Sequence, residues 1–253
     1  MIDIHSHILP NIDDGSKSIE QSINMAKEAE AAGFKAICCT PHYLEEKYIK
    51  NKFNNTKVLE NLQEELKKNN INIELYIGNE IYITDEIEDL IKMGQISTLN
   101  NRKYILVELP MNYPIASLET IIFKIQNLNL IPIIAHPERY AYVQKDPNFL
   151  IGLIEKGVLF QGNYASLIGY YGKDVENTIK ILLKNNMIHM LGSDTHRDNS
   201  IYSNFDKIKK ILSKCIDDEL IDELTNINPK KVIENDEIDV YVPIEYKKKK
   251  WFF

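Results

Sequence analysis

The chain has 253 residues, 44% of them hydrophobic and 26% charged, and a net charge of −7. That composition is globular, and the acidic balance argues against a partner held through nucleic-acid phosphates. Three cysteines make no disulfide framework, no apolar run approaches the roughly 20 residues of a membrane span, and the N-terminus lacks the order of a signal peptide, so a cytoplasmic protein is expected.

Ile2-Asp3-Ile4 reads as a short strand, and His5 and His7, two apart at its end, project to one side of an extended chain. After an Asp13-Asp14-Gly15 turn, Ser16 or Ser18 can cap a helix over Ile19–Ala32, with Ile19, Ile23, Ala26 and Ala29–Ala32 on one face and Gly33 as its stop. Phe34–Cys39 is a buried-type strand ending in Thr40-Pro41-His42-Tyr43. A polar helix near Thr56–Asn69 leads to strand Ile73–Ile77, which ends in Gly78-Asn79-Glu80. A short helix near Thr84–Met93 precedes strand Tyr104–Val107, ending in Glu108-Leu109-Pro110. Helix Leu118–Asn127 leads to strand Ile131–Ala135 and then to His136-Pro137-Glu138-Arg139. Helix Asn148–Lys156 and strand Val158–Gln161 follow, ending in Gly162-Asn163. Helix Lys173–Asn185 and strand Met187–Leu191 end in Gly192-Ser193-Asp194-Thr195-His196. Helices near Asn204–Lys214 and Asp217–Thr225 lead into an irregular C-terminal tail.

Strand and helix alternate about seven times, with connections too long for hairpins and no Gly-x-Gly-x-x-Gly turn. That pattern favours a parallel barrel in a single domain spanning residues 1–253. Five of the six histidines (His5, His7, His42, His136 and His196) fall at or just past predicted strand ends, as do Glu80, Glu108 and Asp194. In a (β/α) barrel those ends surround one cavity, so these residues converge. His189 lies inside a strand and reads as a core histidine or one that supports a ligand. Mixed histidine and carboxylate donors without cysteine suit manganese, iron or zinc. So many donors exceed what one ion needs, and ions about 3.5–4 Å apart are the hydrolytic arrangement for phosphate esters.

Asp3-x-His5-Ser6-His7, Thr40-Pro41-His42, Glu80, Glu108, His136-Pro137-Glu138-Arg139 and Ser193-Asp194-x-His196 together resemble the PHP (polymerase and histidinol phosphatase) superfamily. The opening IDIHSHILPNIDDG with AHPERY resembles most its bacterial protein-tyrosine phosphatase branch, the capsular-polysaccharide phosphatases of the CpsB/YwqE type. The resemblance covers residues 1 to about 200 and implies a distorted (β/α)7 TIM-like barrel holding three divalent ions, commonly manganese. By that resemblance the first ion takes His5, His7, Glu80 and Asp194. Glu80 bridges to a second, which also takes Glu108 and His136. The third takes Asp14, His42 and His196, with Asp14 favoured over Asp13, which caps or orients the turn.

The implied activity is hydrolysis of phosphotyrosine on the C-terminal tail of a membrane-anchored bacterial tyrosine kinase that controls capsular or exopolysaccharide synthesis. Arg139 neutralises phosphoryl charge, and His42 or a water supplies the proton for the leaving group. Relatives carry a second substrate arginine several residues beyond Ser-Asp-x-His. Here only Arg197 is available, directly after His196, and it is the expected replacement. None of the cysteines has an arginine six positions downstream, so a Cys-x5-Arg cradle and a phosphocysteine are excluded. Two other readings stand beside this one: a PHP phosphatase for a small phosphomonoester such as histidinol phosphate, and a non-catalytic regulator that binds the kinase. Residues 243–253 form a basic and aromatic tail. Within it, Lys247–Phe253 suits peripheral contact with an anionic membrane, at about 1 kcal/mol per lysine.

Overall fold

The computed structural model describes residues 1–44 and 52–248. Its strands are β1 (Ile2–Ser6), β2 (Ala36–Cys39), β3 (His42–Tyr43), β4 (Glu74–Ile77), β5 (Glu80–Tyr82), β6 (Tyr104–Glu108), β7 (Ile131–Ala135), β8 (Leu159–Asn163) and β9 (Met190–Gly192). All pair in parallel, as β1-β2-β4 and β3-β5-β6-β7-β8-β9. The division into two sheets comes from two interruptions. Pro41 offers no ladder donor between β2 and β3, and Gly78-Asn79 separates β4 from β5. Single bonds carry the ladder across: Thr40 N to Ser6 O at 2.9 Å, Gly78 N to Cys39 O at 2.9 Å and Glu80 N to Pro41 O at 3.2 Å. Counted with each interrupted strand once, the described residues form a seven-position ring. It closes where β9 meets β1, through a parallel bridge between Ser6 and Thr195. There Asp194 N donates to His5 O at 2.8 Å and His7 N to Thr195 O at 3.0 Å. This is the distorted (β/α)7 barrel expected.

Period-two alternation divides the apolar side chains into two layers. Ile4, Cys38, Tyr104, Leu106, Ile133, Leu159 and Met190 pack together in the lumen, closed by Leu99, Val232 and Ile233. Their strand neighbours Ile37, Cys39, Ile105, Val107, Ile134, Phe160 and Leu191 pack outward under the helices. Lumen rows continued two residues at a time run from Leu106 to Glu108, from Leu159 to Gln161 and Asn163, and from Cys38 through Thr40 to His42. The functional rim is therefore an extension of the core.

Helix Ile19–Ala32 has the expected bounds. Ser18, rather than Ser16, caps it by accepting from Gln21 N at 3.2 Å, and Gly33 ends it at φ 96°. Its fully buried face is Ser22, Met25, Ala26 and Ala29, with Ile19 and Ile23 only half-buried. Strand β5 was not legible as a strand, because the Gly-Asn break looks like a strand end. The C-terminal region is less irregular than expected. Asn228–Glu234 is a helix that presents Val232 and Ile233 to the lumen. Beyond it Ile244 N donates to Asn185 O at 2.9 Å, and Tyr246 N to Asn148 Oδ1 at 2.8 Å. Of the Lys247–Phe253 segment, residues 249–253 lie outside the described residues. No described helix is long and apolar enough to cross a membrane.

Candidate metal centre

The ring brings the predicted donors together at the C-terminal ends of its strands. His5, His7, Glu80 and Asp194 offer ligand atoms that all lie within 4.8 Å of one another, as do His7, Asp14, His42 and His196, and also His42, Glu80 and Glu108. His136 joins them through Nε2, 2.9 Å from Glu80 Oε1 and 3.5 Å from Glu108 Oε1. The groups share His7, His42 and Glu80, so they form one continuous cluster. Asp14 Oδ1 stands 3.6 Å from both His42 Nε2 and His196 Nε2. Asp13 takes the other role: it accepts from His7 Nδ1 at 2.7 Å, from His42 N at 2.8 Å and from Gly15 N at 2.9 Å. Gly15 is required there, since a Cβ at that position would lie 2.2 Å from His7 O.

Hydrogen-bond direction makes the first group a cation site. His5 Nδ1 donates to Gln161 Oε1 at 2.7 Å and His7 Nδ1 to Asp13, so each neutral ring turns the lone pair of Nε2 inward. Those two nitrogens stand 3.2 Å apart, each 3.2 Å from Glu80 Oε2 and 3.3–3.5 Å from Asp194 Oδ1. Glu80 Oε2 makes no well-aligned hydrogen bond, and the one further nitrogen near it is His42 Nδ1 at 3.0 Å. Four buried acceptors facing one point are satisfied only by a cation, either protons or a metal ion. Without metal the protons remain. Burial opposes charge on His5, but Glu80 and Asp194 override it and hold the ring at about 9. Burial, followed by the charge of Glu80, pushes Glu108 up to about 8. The donor set fits divalent metal ions.

Comparison with known proteins agrees with that geometry. The family described as capsular polysaccharide synthesis, CpsB/CapC, matches residues 1–234. The chain belongs to the CpsB/CapC family. It is 35% identical to the putative tyrosine-protein phosphatase CapC of Staphylococcus aureus, over 100% of this chain and 99% of that protein. A crystal structure from work on YwqE of Bacillus subtilis and CpsB of Streptococcus pneumoniae, both metal-dependent tyrosine phosphatases, superposes with a TM-score of 0.93 at 33% identity, over 98% of this chain and 100% of that one. The histidinol phosphate phosphatase of Lactococcus lactis shares the fold at a TM-score of 0.57 and 17% identity, over 85% and 94% of the two chains.

Within this CpsB/CapC chain the two candidate phosphate arginines differ. Arg139 Nη1 donates to Asp194 Oδ2 at 3.0 Å, and its guanidinium lies 4.4 Å from the Tyr171 ring centroid. Arg197 instead directs Nη1 to the carbonyls of Asp14, Gly15 and His196, each at 2.6 Å. It ties the Asp13-Asp14-Gly15 turn to the loop after β9, and no ion pair with Asp198 is seen. The reason is local: a residue next to His196 lies beside those carbonyls.

The sequence places β8 as a strand but does not reveal the role of the two amides on which it ends. Gln161 Nε2 donates to Asn163 Oδ1 at 2.8 Å, and Asn163 Nδ2 to Asp194 Oδ2 at 2.8 Å. Asp194 Oδ2 is thereby occupied and Oδ1 is left to face the histidines. Gly192 leaves room for this chain of bonds, because a Cβ there would lie 2.8 Å from His5 Cβ and 2.9 Å from Gln161 Nε2. Glu138 accepts from Asn163 N and Ser166 Oγ, and burial pushes it up to about 7. Asp3 pins β1 to β9, accepting from Ser193 N at 2.9 Å and Tyr202 Oη at 2.6 Å. Lumen parity alone would have pointed to Gln161 and Asn163.

Cys38 and Cys39 are buried in the barrel wall, free, and pushed above the ordinary thiol range by burial. Neither is placed or ionised as a nucleophile.

Proposed function

We propose that this chain is a metal-dependent protein-tyrosine phosphatase acting on phosphotyrosine in a tyrosine kinase of capsular or exopolysaccharide synthesis. The observation that carries the reading is the convergence of four buried acceptors, His5 Nε2, His7 Nε2, Glu80 Oε2 and Asp194 Oδ1, with no donor among them. Three ions, foremost manganese, are assigned as the family resemblance implies: His5, His7, Glu80 and Asp194; Glu80, Glu108 and His136; and Asp14, His42 and His196. Bound divalent ions lower the pKa of water and neutralise phosphoryl charge.

The protein's own groups do the rest. Asp13 and Gln161 hold His7 and His5 in the tautomer that faces inward. Arg139 is anchored on Asp194 through one nitrogen, which leaves further N–H groups of its fork for phosphoryl oxygens. With His42 taken up as a ligand, a water is the proton donor we assign to the leaving phenolate, whose ordinary pKa is about 10. The protein partner is the phosphorylated kinase tail, met at the cytoplasmic face of the membrane.

The test is phosphate release from a phosphotyrosyl peptide and from histidinol phosphate, using metal-stripped protein and then protein with manganese restored. Manganese-dependent turnover that favours the peptide is the expected result. Preference for histidinol phosphate would overturn the substrate, and no turnover by metal-loaded protein would overturn the enzyme.

A further inference from the structure

Beside the metal-type cluster lies an open cavity of about 350 Å³. Asp14, His42 and Glu108, all of them cluster members, form one side of it. The other walls are Leu44, Tyr82, Leu109, Pro110, Met111, Asn112 and Tyr113, and the described lining holds no lysine or arginine. The strands dictate this neighbourhood. Tyr82 follows Glu80 by two residues on β5, so it shares that residue's face. In the β5–β6 register Tyr82 is the partner of Glu108. The loop after Glu108 is fastened at its base, with Leu109 N donating to Tyr140 Oη at 3.0 Å and Ala141 N to Met111 O at 2.8 Å. Tyr113 at its tip is 66% exposed.

We infer that this cavity is an aryl slot that takes the tyrosine ring of the phosphorylated substrate, with Tyr82 and Tyr113 as its specificity-determining walls. The inference rests on the phosphotyrosine reading above. A cavity of about 150 Å³ holds benzene, so this one accepts a phenyl ring and part of the attached peptide. An uncharged wall, aromatic and aliphatic apart from Asn112, favours a flat neutral ring over an alkyl phosphoester, which fills it poorly. The slot adjoins the cluster itself, so a ring seated in it leaves its phosphoryl group over the ligands.

The experiment compares kcat/KM for a phosphotyrosyl peptide and for the same peptide carrying phosphoserine, on manganese-loaded protein. Parent, Tyr82→Leu, Tyr113→Ala and Tyr113→Phe are assayed, with metal content checked for each. Tyr82→Leu and Tyr113→Ala are expected to lower the aryl-to-alkyl ratio by up to about tenfold, the size of one aromatic contact, and Tyr113→Phe to retain it. An unchanged ratio, whether both rates hold or fall together, would overturn the slot while leaving the phosphatase reading intact. Absence of phosphotyrosine turnover by the parent would overturn that reading and, with it, the occupant assigned to the slot.

Discussion

At the C-terminal rim, His5 gives Nδ1 to Gln161 and turns Nε2 toward Glu80 and Asp194, whose charges hold the ring at about 9 despite full burial. Ahead of β9, His189 is buried almost as completely, but Nδ1 accepts from Phe160 N at 3.0 Å and Nε2 finds no hydrogen-bond partner. Burial lowers that ring to about 4. One barrel thus buries the same side chain as a cation-binding group and as a neutral core group. Burial does not separate these two rings; the charges of Glu80 and Asp194 facing His5 do. The rim ring of His136, also beside carboxylates, is still lowered by burial.

The strongest way to break the contrast is to remove the carboxylate shared by the rim groups. Glu80→Gln takes away the charge but keeps the shape. It is expected to cost several kcal/mol of transition-state stabilisation, at least about a thousandfold in kcat/KM, together with bound metal measured by elemental analysis. Next come the arginines. Arg139→Ala should lower kcat by about 100-fold to 1,000-fold, the scale for losing a donor to developing charge. Arg197→Ala should cost far less and show mainly as a lower melting temperature, because its Nη1 is spent on three carbonyls. Equal losses of kcat in the two variants would return Arg197 to the substrate. Smaller again is Asn163→Leu, which frees Asp194 Oδ2. A loss of about 10-fold to 100-fold in metal affinity is expected, the usual scale for groups that orient ligands, and chelator competition measures it.

What was legible in the sequence follows the same division. A ligand announces itself by type, so His5, Glu80 and Asp194 stand out at strand ends and the barrel follows from their alternation with helices. Asp13 and Asp14 are identical in type, and only the closed turn separates the one that orients His7 from the one that faces His42 and His196. Gln161 and Asn163 resemble any polar pair until β8 is registered against β9 and the lumen parity of the strand brings Gln161 to His5 and Asn163 to Asp194. The helix Asn228–Glu234 escaped because its packing face answers to the lumen rather than to a periodic pattern long enough to read.

His189 offers the gentlest test, since it touches no predicted ligand. Its folded pKa, about 4, lies below the ordinary 6.5, so between those values the unfolded chain binds a proton that the folded one refuses. Stability therefore falls as pH falls through that window, and the contribution is fully present only above it. At about 1.4 kcal/mol per unit, the full span is worth about 3 kcal/mol. His189→Gln keeps an acceptor for Phe160 N and removes the titration. Urea unfolding of metal-stripped protein at pH 7 and pH 4 should show the parent losing more stability than the variant, while both bind the same amount of metal when reloaded. A variant that lost metal instead would tie His189 to the rim, and equal losses of stability would mean that burial does not keep this ring neutral.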